Sequence, residues 1–168
     1  MTSTDQKIEF SPENMQLVKR LMGEYPEGKH KSALLRILHI AQRQFGGWLS
    51  SDVMDYVAEV MNLKPIEVYE VATFYSMYFT KPTGKYVFDV CHTGPCAIEG
   101  AEKLCNHIEK RLGVKEGETT ADGMFSWRGV ECLGACGYAP MLQLGDSFRE
   151  FLTPEKVDQL IEELKNKV

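Results

Sequence analysis

Four of the five cysteines in this 168-residue chain fall into two short groups. Cys91-His92-Thr93-Gly94-Pro95-Cys96 is a C-x4-C group, and Cys132-Leu133-Gly134-Ala135-Cys136 is a C-x3-C group. Each contains glycine, which lets the backbone curl tightly and point N–H groups at whatever the thiols hold. Four thiolates converging from two sides suit an iron–sulfur cluster. They also suit structural zinc, whose knuckles run from C-x2-C to C-x4-C. A disulfide framework fits poorly with a chain that shows no secretory leader. The C-x2-C of thioredoxin-type exchange is absent, as is the C-x4-C-x2-C of plant-type ferredoxins. His92 offers an imidazole that could replace a thiolate, tune the site by a hydrogen bond, or face water. Cys105 stands apart beside Leu104 in a helical pattern and reads as a small core or boundary residue.

The elements around these groups can be read from periodicity. Tyr86-Val87-Phe88-Asp89-Val90 has the character of a buried strand that ends at the first cysteine group, and Met124 to Val130 reads as a second strand that ends at the other. Two loops leaving the ends of neighbouring strands would bring the four thiols together. A helix is expected from about Ala97 to Leu112, with Ile98, Ala101, Leu104, Ile108 and Leu112 along one side. Met141–Leu144 and Phe148–Leu152 flank Gly145-Asp146, a hairpin signal. Thr153-Pro154-Glu155 opens a last helix carrying Val157, Leu160, Ile161 and Leu164.

The first 80 residues read as helices. Ser11-Pro12-Glu13 starts one that runs to Gly23, and a second spans about Ser32 to Phe45 before Gly46-Gly47. A third is capped near Ser51, and a fourth begins at Pro65. Lys81-Pro82-Thr83-Gly84 reads as a linker. The expected organisation is an α+β chain of two domains: a helical bundle over residues 1–80 and a small α/β domain over residues 81–168.

Composition narrows the function. The hydrophobic fraction is 43%, enough for a core without covalent staples, and the formal net charge is −5 with no basic run. Nucleic acid is therefore not an expected partner. Direct membrane insertion is not expected either, since the most apolar stretch, Val68 to Phe79, is far short of the ~20 residues a spanning helix needs. Met1-Thr2-Ser3-Thr4-Asp5 lacks the pattern of a signal or transit peptide, and the expected location is cytoplasmic. Gly23-Glu24-Tyr25-Pro26-Glu27-Gly28-Lys29-His30 approaches a phosphate loop, but it has His30 at the hydroxyl position and two glutamates that would repel phosphate. No G-x-G-x-x-G occurs, so no dinucleotide site is expected on this chain.

Val130-Glu131-Cys132-Leu133-Gly134-Ala135-Cys136-Gly137-Tyr138-Ala139-Pro140-Met141 resembles the signature of the thioredoxin-like [2Fe–2S] ferredoxins of the complex I peripheral arm. These form the E-type family among the components of the NADH–quinone oxidoreductases. Val71-Ala72-Thr73-Phe74-Tyr75-Ser76-Met77 and Gly84-Lys85-Tyr86 fit the same pattern, and the likeness covers about residues 10 to 165. The resemblance implies a helical bundle followed by a thioredoxin-like domain. It also implies that Cys91, Cys96, Cys132 and Cys136 ligate one [2Fe–2S] cluster. The implied partners are an F-type flavoprotein, which carries FMN and oxidises NADH, and other peripheral-arm iron–sulfur subunits. The implied site of action is the inner face of the bacterial cell membrane, reached through the complex, and no activity is expected of the isolated chain. The same module occurs in NAD-linked formate dehydrogenases and NAD(P)-reducing hydrogenases, which are the alternatives. The His-Thr-Gly-Pro filling of the first loop departs from the family pattern, which bears on the potential and not on ligation.

Overall fold

The structure, a computed structural model, describes residues 8–167. The reading of Met1 to Asp5 lies outside the described residues. The chain divides into two compact units, one ending at Pro82 and the other beginning at Thr83.

The first unit contains helices α1 (Pro12–Gly23), α2 (Leu34–Gln44), α3 (Ser51–Met61) and α4 (Pro65–Phe74). Their starts follow capping chemistry. Ser11 Oγ accepts from Asn14 N at 3.2 Å and Ser50 Oγ accepts from Val53 N at 3.2 Å, each supplying a partner to an N–H that the first turn leaves open. The cap of α3 is thus Ser50, one residue before the expected Ser51. Residues His30–Ala33 form a 3-10 turn ahead of α2, where the expected helix began at Ser32. His30 is used structurally there, as its Nε2 donates to Met61 O at 2.9 Å. Leu21, Leu34, Ile37, Leu38, Val57 and Met61 are fully buried in the core of this unit.

The second unit is built on a four-stranded sheet of order β2-β1-β3-β4, with β1 Tyr86–Cys91, β2 Phe125–Val130, β3 Leu142–Leu144 and β4 Ser147–Arg149. β1 and β2 are parallel, with Tyr86 opposite Phe125 and Cys91 opposite Val130. β3 pairs antiparallel with β1 and with β4 through the expected hairpin. Two helices follow a short α5 (Pro95–Ile98): α6 (Ala101–Leu112) and α7 (Pro154–Lys165). Phe88, Val90, Phe125 and Trp127 form one core with Leu104 and Ile108 of α6 and with Val157 and Ile161 of α7. The chain is therefore α+β, a helical N-terminal part followed by a thioredoxin-like domain. Among the described residues no helix is long and apolar enough to cross a membrane.

One expected element is corrected. The helix read over Ala97–Leu112 is interrupted, with α5 ending at Ile98 and a fresh start of α6 at Ala101. Gly100 has φ 96°, ψ 28°, a left-handed conformation that stops the helical ladder. Ile98, placed on the core stripe by periodicity, is instead 85% exposed.

The lead into β1 leaves no steric room at one place. A Cβ on Gly84 would stand 2.5 Å from Phe125 C and 2.8 Å from Phe125 N, and Gly84 N donates to Ser126 Oγ at 2.8 Å. Backbone atoms cannot yield as a side-chain tip can. Gly84→Ala is expected to destabilise the chain by about 3 kcal/mol, the upper end of overpacking costs. Urea unfolding of the two proteins measures it, and equal midpoints would show that the strands have slack.

Candidate metal centre

Parallel pairing sends β1 and β2 out of the sheet at the same edge. Cys91 is the last residue of β1, and Cys132 follows the end of β2 by two positions. Backbone bonds tie both exits: His92 N donates to Val130 O at 3.3 Å, and Cys91 N to Met141 O at 3.2 Å. The first loop then turns back, with Cys96 N donating to Thr93 O at 3.1 Å, so Cys96 enters α5 pointing inward. A 3-10 turn, Cys136–Tyr138, packs against α5 from the other loop. All four grouped cysteines are thereby brought to one end of the sheet.

Their environments differ. Cys91 and Cys96 are buried with Ala101 and Met141, and Leu133, Ala135 and Ala139 close over them. Cys132 and Cys136 are exposed, with sulfurs 3.6 Å apart. Gly134 N reaches Cys132 Sγ at 3.4 Å, and Thr93 Oγ1 lies 3.9 Å from Cys91 Sγ.

The acidities follow. Burial pushes the Cys91 thiol up, but backbone hydrogen bonds from Thr93 and Leu133, the Cys96 thiol and the Thr93 hydroxyl outweigh it, so Cys91 ionises below the usual cysteine range. Burial, followed by the hydrogen bond to Cys91 and that residue's charge, pushes Cys96 up to about 11. Cys136 is raised by its hydrogen bond to Cys132 and then by that residue's charge. The charge of Cys91 also bears on Cys136, and that of Cys136 on Cys96, so the two pairs face each other.

The thiols come as two pairs, Cys91 with Cys96 in the apolar pocket and Cys132 with Cys136 at the surface, an arrangement a binuclear group can use. A binuclear iron–sulfur cluster takes two thiolates per iron, and its sulfurs call for an apolar wall with a few N–H donors. Cys91 and Cys96 have that wall. The Leu133 and Gly134 amides and the Thr93 hydroxyl are donors that sequence reasoning did not single out. Only the presence of glycine in each loop hinted at them.

Two further sequence candidates fall elsewhere. The His92 ring lies against Gly129, where a Cβ would meet its Cδ2 at 3.0 Å, and not among the thiols. It lines a cavity of about 390 Å3 with Glu102, Cys105, Glu116 and Trp127. Cys105 is half-buried there, and burial, helped by the charges of Glu116 and Glu102, pushes it up to about 11. Its thiolate should therefore be scarce at neutral pH. Alkylation of Cys105 by iodoacetamide is expected to be slow at pH 8 and to rise about tenfold per pH unit up to pH 10. A rate already level by pH 9, followed by peptide mass spectrometry, would contradict this.

Comparison with known proteins agrees with the geometry. Residues 18–165 match the thioredoxin-like [2Fe-2S] ferredoxin family. The E-type component of NADH-quinone oxidoreductase from Rickettsia felis is 43% identical over 157 residues, covering 94% of each chain. Its counterpart from Rickettsia typhi is 40% identical over 164 residues, covering 98% of this chain and 96% of its own. Among solved structures, an air-oxidised NAD+-reducing [NiFe]-hydrogenase superposes with a TM-score of 0.69 at 24% identity. That match covers 80% of this chain but only 23% of the hydrogenase chain, and it speaks to the fold alone. With two pairs of thiols at the end of a thioredoxin-like sheet, and with relatives matched over nearly their whole length, the chain belongs to the thioredoxin-like [2Fe–2S] ferredoxins.

Proposed function

We propose that Cys91, Cys96, Cys132 and Cys136 hold one [2Fe–2S] cluster and that the chain is the electron-transfer subunit of an NADH dehydrogenase. On this reading it works beside a flavoprotein that carries FMN and binds NADH. The observation that carries the reading is the pairing of the thiols across two strand-end loops, one pair in an apolar pocket and the other at the surface. When bound, the cluster accepts and returns one electron at a time. The chain's own residues orient the four sulfurs, exclude water from Cys91 and Cys96, and aim N–H donors at the sulfurs. The exposed Cys132–Cys136 side leaves an edge that a partner can approach.

The names of the relatives support NADH–quinone oxidoreductase as the host over a hydrogenase or formate dehydrogenase. The chain then acts at the cytoplasmic face of the bacterial inner membrane, held there by the rest of the complex, including other iron–sulfur subunits. The helical unit supplies docking surface. Ile66 and Phe74 are 60% and 79% exposed, and Tyr75 and Met77 extend the same segment. Large apolar side chains grouped at a surface suit contact with another protein.

Purified chain is expected to contain iron and acid-labile sulfide in equal amounts, about two of each. Ser at Cys91, Cys96, Cys132 or Cys136 should empty or destabilise the site, whereas Cys105→Ser should leave it loaded. Stoichiometric zinc without sulfide, in protein never exposed to oxygen or chelator, would overturn the assignment.

A second expectation concerns activity. A hydride donor delivers two electrons, and a flavin is needed to split them for a one-electron centre. NADH alone should therefore leave the cluster oxidised, and NADH with the flavoprotein should reduce it. Rapid bleaching by NADH without a partner would refute the subunit reading. Phe74→Asp should keep its iron and sulfide yet couple poorly to the flavoprotein, and normal coupling would remove the docking role from this segment alone.

A further inference from the structure

We propose that the Thr93 hydroxyl sets the reduction potential of the centre by donating a hydrogen bond to Cys91 Sγ. This rests on the ligation proposed above. Oγ1 and Sγ are 3.9 Å apart, and in the free thiol either group can donate. Once Cys91 is a thiolate its sulfur has no proton, so only the hydroxyl can donate.

The position of Thr93 is not accidental to the turn. Its carbonyl accepts from Cys96 N at 3.1 Å, which fixes the Thr93 backbone between the two cysteines of the first loop. The side chain is half-buried, while Cys91 is only 2% exposed. At the exposed Cys132 and Cys136, water could replace a lost donor. Cys91 is almost wholly enclosed, so water is a poor replacement for a donor lost there.

The direction follows from charge. Reduction adds one electron, and part of that negative charge spreads onto the ligating sulfurs. A donor aimed at a sulfur favours the more negative state, more strongly in a buried site than in water. The hydroxyl therefore raises the potential. The other donors to Cys91 come from the backbone of Thr93 and Leu133 and persist whatever side chain stands at position 93. Thr93 is thus a positioning residue whose contribution can be removed singly.

The test uses the full-length, cluster-loaded chain in a potentiometric titration followed by EPR. Thr93→Val removes the hydroxyl and little else, and Thr93→Ser restores it. The expected result is equal iron and sulfide in all three proteins, a lower midpoint for Thr93→Val, and a midpoint near wild type for Thr93→Ser. Thr93→Ala serves as a second hydroxyl-free variant in case Val disturbs the turn. A loaded Val or Ala variant with the wild-type midpoint overturns the proposal. Loss of the cluster from both, with retention in Thr93→Ser, overturns it too, because the hydroxyl would then build the site and not tune it. Wild-type chain without iron and sulfide would instead overturn the ligation itself.

Discussion

The parallel ladder between β1 and β2 is the constraint from which the site follows. Six residue pairs, from Tyr86↔Phe125 to Cys91↔Val130, bring two chain segments separated by α5 and α6 to the same sheet edge in fixed register. A slip by one residue would move Phe88 and Val90 off the core face and carry Cys91 away from the second loop. Two features oppose such a slip. Gly84 allows an approach to Phe125 that no other residue could make. Asp89 and Arg128, directly opposite in the ladder, form a two-pronged ion pair at 2.6 and 3.2 Å with both side chains mostly covered. Bidentate geometry adds directional preference to the energy, so this pair favours one alignment over its neighbours.

The asymmetry of the thiols is a consequence of that geometry. Cys91 belongs to a strand and must enter the apolar end of the domain, where a bare thiolate is costly. The structure offsets this cost locally, since backbone hydrogen bonding by Thr93 and Leu133, one in each loop, favours the charged form of Cys91. Cys132 and Cys136 lie beyond the sheet in a turn that solvent reaches, and water supplies what the fold does not. A group held by all four has one side in low dielectric and the other near the surface. Burial restrains solvent reorganisation around the charge, and the open side keeps the distance to a partner short.

Much of this was legible in the residue pattern because strong local rules governed it. The two cysteine groups, the strands that end at them, the hairpin at Gly145-Asp146 and the helix opened by Thr153-Pro154 all rest on turn chemistry or on a clear period. The family signature around Cys132 added the cofactor class. What was not legible depended on backbone direction. No period reveals that the Leu133 backbone favours the charged form of Cys91, or that His92, one residue from a thiol, turns its ring to Gly129 instead. Helix starts shifted by a residue or two because several adjacent residues could cap: Ser50 and Ser51 differ only in which one adopts extended φ and ψ.

The interrupted helix shows why a correct period can still mislead. Ile98, Ala101, Cys105 and Ile108 keep a 3–4 spacing, and a continuous helix would turn all four toward the sheet. A continuous helix would also fix the direction of Cys96 by that of α6, since the two would share one axis. The left-handed Gly100 removes the coupling. α6 remains free to bury Leu104 and Ile108 against Phe88 and Trp127, while α5 rotates independently to bury Cys96. Ile98 is carried outward by the same rotation. Its exposure is the geometric counterpart of an inward Cys96, so the departure from the core pattern marks the place where packing gives way to the demands of the site.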